Sequence, residues 1–350
     1  MGMISQTRSR SQALANLGDH AQVAKVRHRV LDWRFTPAIL AMSAHSLKMI
    51  KYPRTPHLEG SRLQKGDEDH DQIPYRELEG RTIVVEEKLD GANTGVSYDA
   101  DCNQLLQSRG HYLLGGPNEG KFSLFKKWAQ AHEGALFDRL DQRYVMFGEW
   151  LALKHTVFYD WLPHYFQEFD LYDTQTQTFL DTPRRHALLA GSPVQSVPVL
   201  YRGPAPKRLK DLLTLVRPSL AKSTQWENAL RQTAERRQMN ADRVWAETEH
   251  SHLAEGLYIK VEENGQVVQR LKWVRHDFLQ ALMESDGHWA WRPEVPNQLH
   301  PDADLFAPIP PVTWDQLAHA QQEAFCGAGD PRIVSAQDLI TKVRQKAPRS

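Results

Sequence analysis

Apolar and polar positions change rhythm several times along the chain, and each change predicts a different element. Thr82-Ile83-Val84-Val85 and Gly95-Val96-Ser97-Tyr98 read as strands. Residues 143–150 (RYVMFGEW) and 165–172 (YFQEFDLY) read as buried strands. Ser123 to Leu140 carries helical spacing at Leu124, Trp128, Ala131 and Ala135. Residues 183–250 predict mainly helix, with apolar positions at Leu209, Leu212, Leu213 and Val216, then at Trp226, Leu230 and Ala234. Two alternating runs follow, 256–261 and 267–274, and Asn264-Gly265 between them predicts a β-hairpin. Residues 51–80 are rich in Pro, Gly and charge and predict an ordered loop or linker. Past Arg275 the pattern is of short helices broken by proline, at Arg292-Pro293 and from Pro308 to Pro311. No internal repeat is visible. The expected fold is α+β, with mainly antiparallel strands in the middle and helical ends. It divides into an N-terminal helical, partly flexible extension (1–50), a central α+β domain (51–275) and a small helical C-terminal module (276–350).

Composition narrows the setting. The 350 residues are 41% hydrophobic and 25% charged, so a packed core is expected and bulk disorder is not. Lys+Arg and Asp+Glu both number 43, which leaves no global pull toward nucleic acid or anionic membrane. A polyanion site must then be a local patch. Two cysteines, Cys102 and Cys326, are too few for a disulfide framework or a cysteine-rich zinc site, and a reducing cytoplasm is expected. No membrane span and no secretion signal are read, although Arg8 and Arg10 hint at a transit peptide.

Charged residues then recur where strands end. The sets are Lys88-Leu89-Asp90-Gly91, Phe147-Gly148-Glu149, Glu168-Phe169-Asp170, Glu255-Gly256 and Arg270-Leu271-Lys272. A lysine, separate glutamates, an aromatic and a second cation suit attack by a lysine amine on the α-phosphate of a nucleoside triphosphate. Free lysine has a pKa of about 10.4, so only about one in a few thousand is neutral at pH 7. A nearby cation such as Lys272, or a metal, is expected to lower that value. Arg270 and Lys272 would neutralise phosphate charge. Glutamates suit a hard metal or ribose hydroxyls. Phe169 suits stacking on a purine, and the glycines suit close approach of backbone to phosphate.

These residues resemble the covalent nucleotidyltransferases, the ATP-dependent RNA and DNA ligases and mRNA capping enzymes. Lys88-Leu89-Asp90-Gly91-Ala92-Asn93 matches the ligase nucleophile motif, and Asn93 makes it most similar to the RNA ligase 2-like branch. The resemblance covers about residues 51–275 and implies an ATP-grasp-like ligase domain. It implies that Lys88 carries the adenylate, with Asp90 and Lys272 in the catalytic set. Arg109, Glu149, Phe169 and Arg270 would hold the nucleotide, Glu149 at the ribose and Phe169 over the adenine; Glu86 and Glu87 are further candidates at the adenine. Asn93 would touch substrate or its 3′-OH, and Glu255 would face the metal. ATP and Mg²⁺ or Mn²⁺ are the implied cofactors. RNA with 3′-OH and 5′-phosphate ends is the implied partner, in RNA repair, alongside an end-healing kinase or phosphatase; a monomer is expected. Arg270 departs from the usual lysine at its position. No OB-type C-terminal motif is seen, which argues against the DNA-ligase and capping branches. The segment Lys51-Tyr52-Pro53-Arg54-Thr55-Pro56-His57-Leu58-Glu59-Gly60-Ser61 is similar to a lead-in of bacterial RNA ligase-like proteins. The alternatives are a ligase for DNA or mixed strands, a guanylyltransferase, and an inactive nucleic-acid-binding relative. The histidines show no metal spacing. Arg231, Arg236, Arg237 and Arg243 read as a solvated helix face or a phosphate contact.

Overall fold

A computed structural model describes residues 49–63, 72–278 and 294–327. All of them belong to Lys48–Ser350, the second of the two units into which the chain divides. The expected N-terminal extension lies almost wholly outside the described residues.

The described residues form one ten-stranded sheet with the path β3-β2-β4-β5-β6-β10-β9-β1-β8. The strands are β1 (Thr82–Lys88), β2 (Ala92–Tyr98), β3 (Gln104–Ser108), β4 (Tyr144–Trp150), β5 (Phe166–Asp173), β6 (Thr178–Leu180), β7 (Gln195–Ser196), β8 (Val199–Pro204), β9 (Gly256–Glu263) and β10 (Gln266–Val274). Every pairing is antiparallel except that of β7 with β5. β6 joins two halves by only two residue pairs on each side, to β5 and to β10. The chain crosses between the halves at Leu89–Gly91, between β1 and β2.

The expected β9–β10 hairpin is present. Asn264 and Gly265 have φ of 53° and 84°, the positive values a two-residue turn of this kind requires. The helical run at 123–140 is two helices, α1 (Ser123–Ala131) and α2 (Glu133–Leu140), separated at His132 with φ −109° and ψ 14°. Residues 183–250 hold α3 (Thr182–Leu189), α4 (Leu209–Leu213), α5 (Trp226–Arg236) and α6 (Ala241–Ala246), and also β7 and β8, which the periodicity did not predict. Asp181 caps α3 by accepting the Arg184 N–H, and Asn240 caps α6 in the same way.

Alternation decides what each strand buries. On β1, β9 and β10, Ile83, Val85, Leu257, Ile259, Val261, Leu271 and Trp273 form one apolar core with Leu58, Tyr75, Leu78 and Leu212. A second core covers the other half, where Phe125, Trp128, Leu136 and Leu140 of α1 and α2 pack on Val96, Met146, Trp150 and Phe166. The opposite face of the first half is charged, and buried ion pairs tie it to β5. Arg185 of α3 pairs with Glu86 at 2.6 Å and Glu168 at 2.9 Å. Lys260 pairs with Glu86 at 2.8 Å and Asp170 at 3.3 Å, and Arg270 reaches Asp170 at 2.9 Å.

Residues 294–321 run across this same body. Asn297 accepts the Tyr159 N–H and donates to the Leu151 carbonyl, and the Trp314 indole donates to Gln167. α7 (Trp314–Gly327) is the helix described in the expected C-terminal module; residues 276–278 and 294–313 of that module are irregular, and 279–293 and 328–350 lie outside the described residues. Among the described residues no helix is long and apolar enough to cross a membrane.

Candidate active site

A cavity of about 690 Å³ opens where the halves meet. Lys88, Asp90, Asn93, Arg109, Glu149, Phe169, Glu255 and Lys272 all line it, as do Glu86 and Glu87. Strand ends bring them there. Lys88 is the last residue of β1, paired with Gly256 beside Glu255, and Lys272 of β10 pairs with Tyr258. Asn93 of β2 pairs with Glu149 of β4.

Lys88 Nζ donates to Glu255 Oε2 at 2.6 Å, with Glu255 only 2% exposed. Burial alone would pull the Lys88 pKa down, but the carboxylates of Glu255, Asp90 and Glu149 outweigh it and the value rises. The expected lowering by Lys272 is therefore not what the protein's own groups do; three carboxylates act on Lys88 in the opposite direction. Burial pushes Glu255 and Glu149 up to about 7, with Asp90's charge adding to it and Lys88 opposing it. Glu149 also accepts the Gly91 N–H at 2.9 Å, which fixes the turn after the lysine.

Asp90 is a tether. Its Oδ2 accepts the N–H groups of Thr156 at 2.7 Å and Val157 at 2.9 Å, and its own N–H donates to the Tyr159 hydroxyl at 2.8 Å. The lysine turn is thereby bound to the loop after β4. Phe169 owes its position to a bulge: Phe147 pairs with Asp170 and Gly148 with Glu168, leaving Phe169 as the extra residue. The Phe169 carbonyl, freed from the ladder, accepts from Arg185 and Lys260, and its half-buried ring faces the cavity. Asn93 Oδ1 is buried with no hydrogen-bond partner among the described residues, so it suits a donor brought by substrate. Arg109 sits exposed at the mouth.

Three expectations change. Arg270 does not line the cavity. Its Nε donates to Asp170 and its guanidinium lies 3.7 Å over the Phe179 ring, so its charge serves the seam between the halves. Glu86 borders the cavity, but its carboxylate is held by Arg185 and Lys260. That of Glu87 is held by the Ser219 hydroxyl at 2.5 Å and the Leu220 N–H, so neither side chain is offered to a base. The motif glycines serve strand packing more than phosphate approach. A Cβ at Gly256 would stand 1.9 Å from the Trp273 carbonyl oxygen, and one at Gly148 would stand 2.4 Å from the Phe166 ring.

The cavity also holds residues to which the sequence gave no role in the site: Lys121, His155 and Tyr258, and Tyr52, Pro53 and Thr55 of the lead-in segment. Tyr258 was readable in principle, since it alternates with Leu257 and Ile259 on β9 and shares a face with Lys260. Tyr52 was marked only by its place in that lead-in.

Among the described residues no cluster of three or more His, Cys, Asp or Glu is placed to hold a metal ion. Glu255 offers a buried carboxylate and Glu149 a half-buried one. That donor set fits a hard divalent ion which takes its remaining oxygens from phosphate and water.

Solved structures offer distant likenesses. A lysine-to-alanine mutant of Naegleria gruberi RNA ligase with ATP and Mn overlaps 57% of this chain and 51% of its own, at 18% identity and TM-score 0.38. A glutamate-to-alanine mutant of that ligase with ATP and Mn overlaps 65% and 56%, at 17% identity and TM-score 0.41. An archaeal ATP-dependent RNA ligase overlaps 65% and 48%, at 17% identity and TM-score 0.40. The chain thus spans about half the length of the solved structures it matches. Among curated proteins none matches. The family model described as RNA ligase matches residues 81–274, which begins at β1 and ends at β10. That span is more than half of the chain and contains Lys88, Glu149, Phe169, Glu255 and Lys272, and on it the chain belongs to the RNA ligase family.

Proposed function

We propose that this protein is an ATP-dependent RNA ligase that carries AMP on Lys88. The observation that carries the reading is the Lys88–Glu255 contact of 2.6 Å inside a cavity shared with Glu149, Phe169 and Lys272. Glu255 is the nearest proton acceptor. Nζ gives one proton to it and attacks the α-phosphorus of ATP. The bond to pyrophosphate breaks, and a second N–H proton leaves as the phosphoramidate forms. A 5′-phosphate oxygen then attacks the same phosphorus, the P–N bond breaks and the nitrogen is reprotonated. Finally a 3′-hydroxyl loses its proton and attacks the activated 5′-phosphorus. A phosphodiester forms and AMP leaves. Lys272 faces the cavity as a fixed positive charge for the phosphates, and Phe169 stacks on the base. A Mg²⁺ or Mn²⁺ ion held by Glu255 would supply further neutralisation of phosphate charge.

The test is incubation with α-³²P-ATP and Mg²⁺ or Mn²⁺, followed by denaturing electrophoresis. The protein takes up label, 5′-phosphorylated RNA discharges it, and Lys88→Ala takes up none. Labelling by GTP in place of ATP would make it a guanylyltransferase. Equal sealing of nicked DNA and nicked RNA duplexes would widen the substrate class. Full ligation by Lys88→Ala would remove the assignment.

A further inference from the structure

The segment before the matched region completes the site. β6 pairs with β10 only at Gln266 and Val267, so the edge of β10 that carries Lys272 needs another partner. Residues 56–62 supply it, running parallel to β10. The Lys272 N–H donates to the Pro56 carbonyl at 2.9 Å, and the Leu58 N–H donates to the Lys272 carbonyl at 2.9 Å. Further along, the Arg62 N–H donates to the Val274 carbonyl at 3.0 Å and the Val274 N–H donates to Ser61 Oγ at 2.9 Å. This strap carries Tyr52 and Thr55 into the cavity wall.

Tyr52 is fixed there at both ends. Its ring lies 5.1 Å from Phe147 and 5.0 Å from Phe169, edge-on to the latter. Its hydroxyl donates to Asp170 Oδ2 at 2.5 Å and stands 2.6 Å from the Tyr258 hydroxyl. Thr55 Oγ1 reaches that same Tyr258 hydroxyl at 2.8 Å. The Tyr258 ring in turn stands 6.5 Å from the Phe169 ring, tilted by 34°. Both rings line the cavity, so a flat base entering it meets Phe169 and Tyr258 together.

We propose that Tyr52 is a positioning residue for the nucleotide base, holding Tyr258 opposite Phe169 through its hydroxyl. The proposal rests on the nucleotide-site reading above, and it makes the strap part of the binding site. Tyr52 makes no direct contact with the reacting atoms.

Equilibrium binding tests it without requiring turnover. The full-length protein is first treated with pyrophosphate to discharge any bound AMP, then titrated calorimetrically with ATP and, separately, with tripolyphosphate. Tyr52→Phe keeps the ring and loses the hydroxyl; it is expected to weaken ATP binding about tenfold. Tripolyphosphate, which has no base, is expected to bind the variant as it binds the wild type. Thr55→Val, which removes the other partner of the Tyr258 hydroxyl, is expected to weaken ATP by a smaller factor of about three. Unchanged ATP affinity in both variants overturns the proposal. So does an equal loss for ATP and tripolyphosphate, which would mean a general structural role. If the wild type binds ATP but takes no label, the ligase reading fails while the variants still decide the role of Tyr52. If the wild type binds neither ligand, both readings fall.

Discussion

Ile259 and Lys260 are neighbours on β9, and neither has any exposed surface. One faces an apolar core and the other a seam of ion pairs between two half-sheets. The same three strands thus present two faces of opposite character. The apolar face gains from every buried carbon. The charged face does not earn its place by burial, since desolvating Arg185, Lys260, Glu86, Glu168 and Asp170 costs roughly several kcal/mol per ion. What the charged face provides is placement. Arg185 and Lys260 take the Phe169 carbonyl at the bulge, and Asp170 takes the Tyr52 hydroxyl. Packing holds the sheet together, and ion pairs aim the residues that line the cavity.

That contrast can be broken or sharpened. Lys260→Met keeps the bulk of the side chain but removes one of the two cations at each of two buried carboxylates, leaving Glu86 to Arg185 and Asp170 to Arg270. It is expected to destabilise by about 3–5 kcal/mol in urea unfolding. A loss under about 1 kcal/mol would mean that the seam relaxes and does not aim anything. Ile259→Val, the mild change on the other face, is expected to cost about 0.5–1.5 kcal/mol. An Ile259→Val penalty equal to that of Lys260→Met would erase the distinction between the faces.

A further effect is one of pH. Burial pushes Glu87 up to about 7 from 4.5, against the opposing pull of Ser219, Leu220 and Lys222. The folded state then holds this proton more tightly than the unfolded chain does. The resulting stabilisation is present in full below about pH 4.5 and is lost as pH rises through about 7. Thermal unfolding of Glu87→Gln against the wild type should show a shallower decline across that window. A steeper decline would reverse the sign assigned to Glu87.

Much of the site was legible because its signals are local. Asn264-Gly265 fixes a hairpin by backbone conformation alone, and the nucleophile turn sits where an apolar strand ends in Lys88. Glu149, Glu255 and Lys272, read from the order of the charged sets along the chain, line one cavity. What was not legible depends on distant partners. Arg270 reads as a phosphate ligand until Asp170, a hundred residues away, is seen to take it. Glu86 and Glu87 differ only in which face of β1 they occupy, and both find partners in the 183–250 segment or beyond. β8 was hidden because its six residues end in Gly203-Pro204 within a stretch of helical spacing. The strap at 56–62 has no periodic pattern, because it borrows its partners from the edge of β10.

The two-residue turn at Asn264-Gly265 has a consequence for how this sequence tolerates change. Side chains on β9 and β10 obey an odd–even parity, and the turn together with the bulge at Val268 sets its phase. One residue inserted there would exchange the roles of Leu271 and Lys272, sending the cation into the hydrocarbon side and the leucine into the cavity. Genetic drift in length at this distant tip is therefore as damaging to the chemistry as a substitution at Lys272 itself.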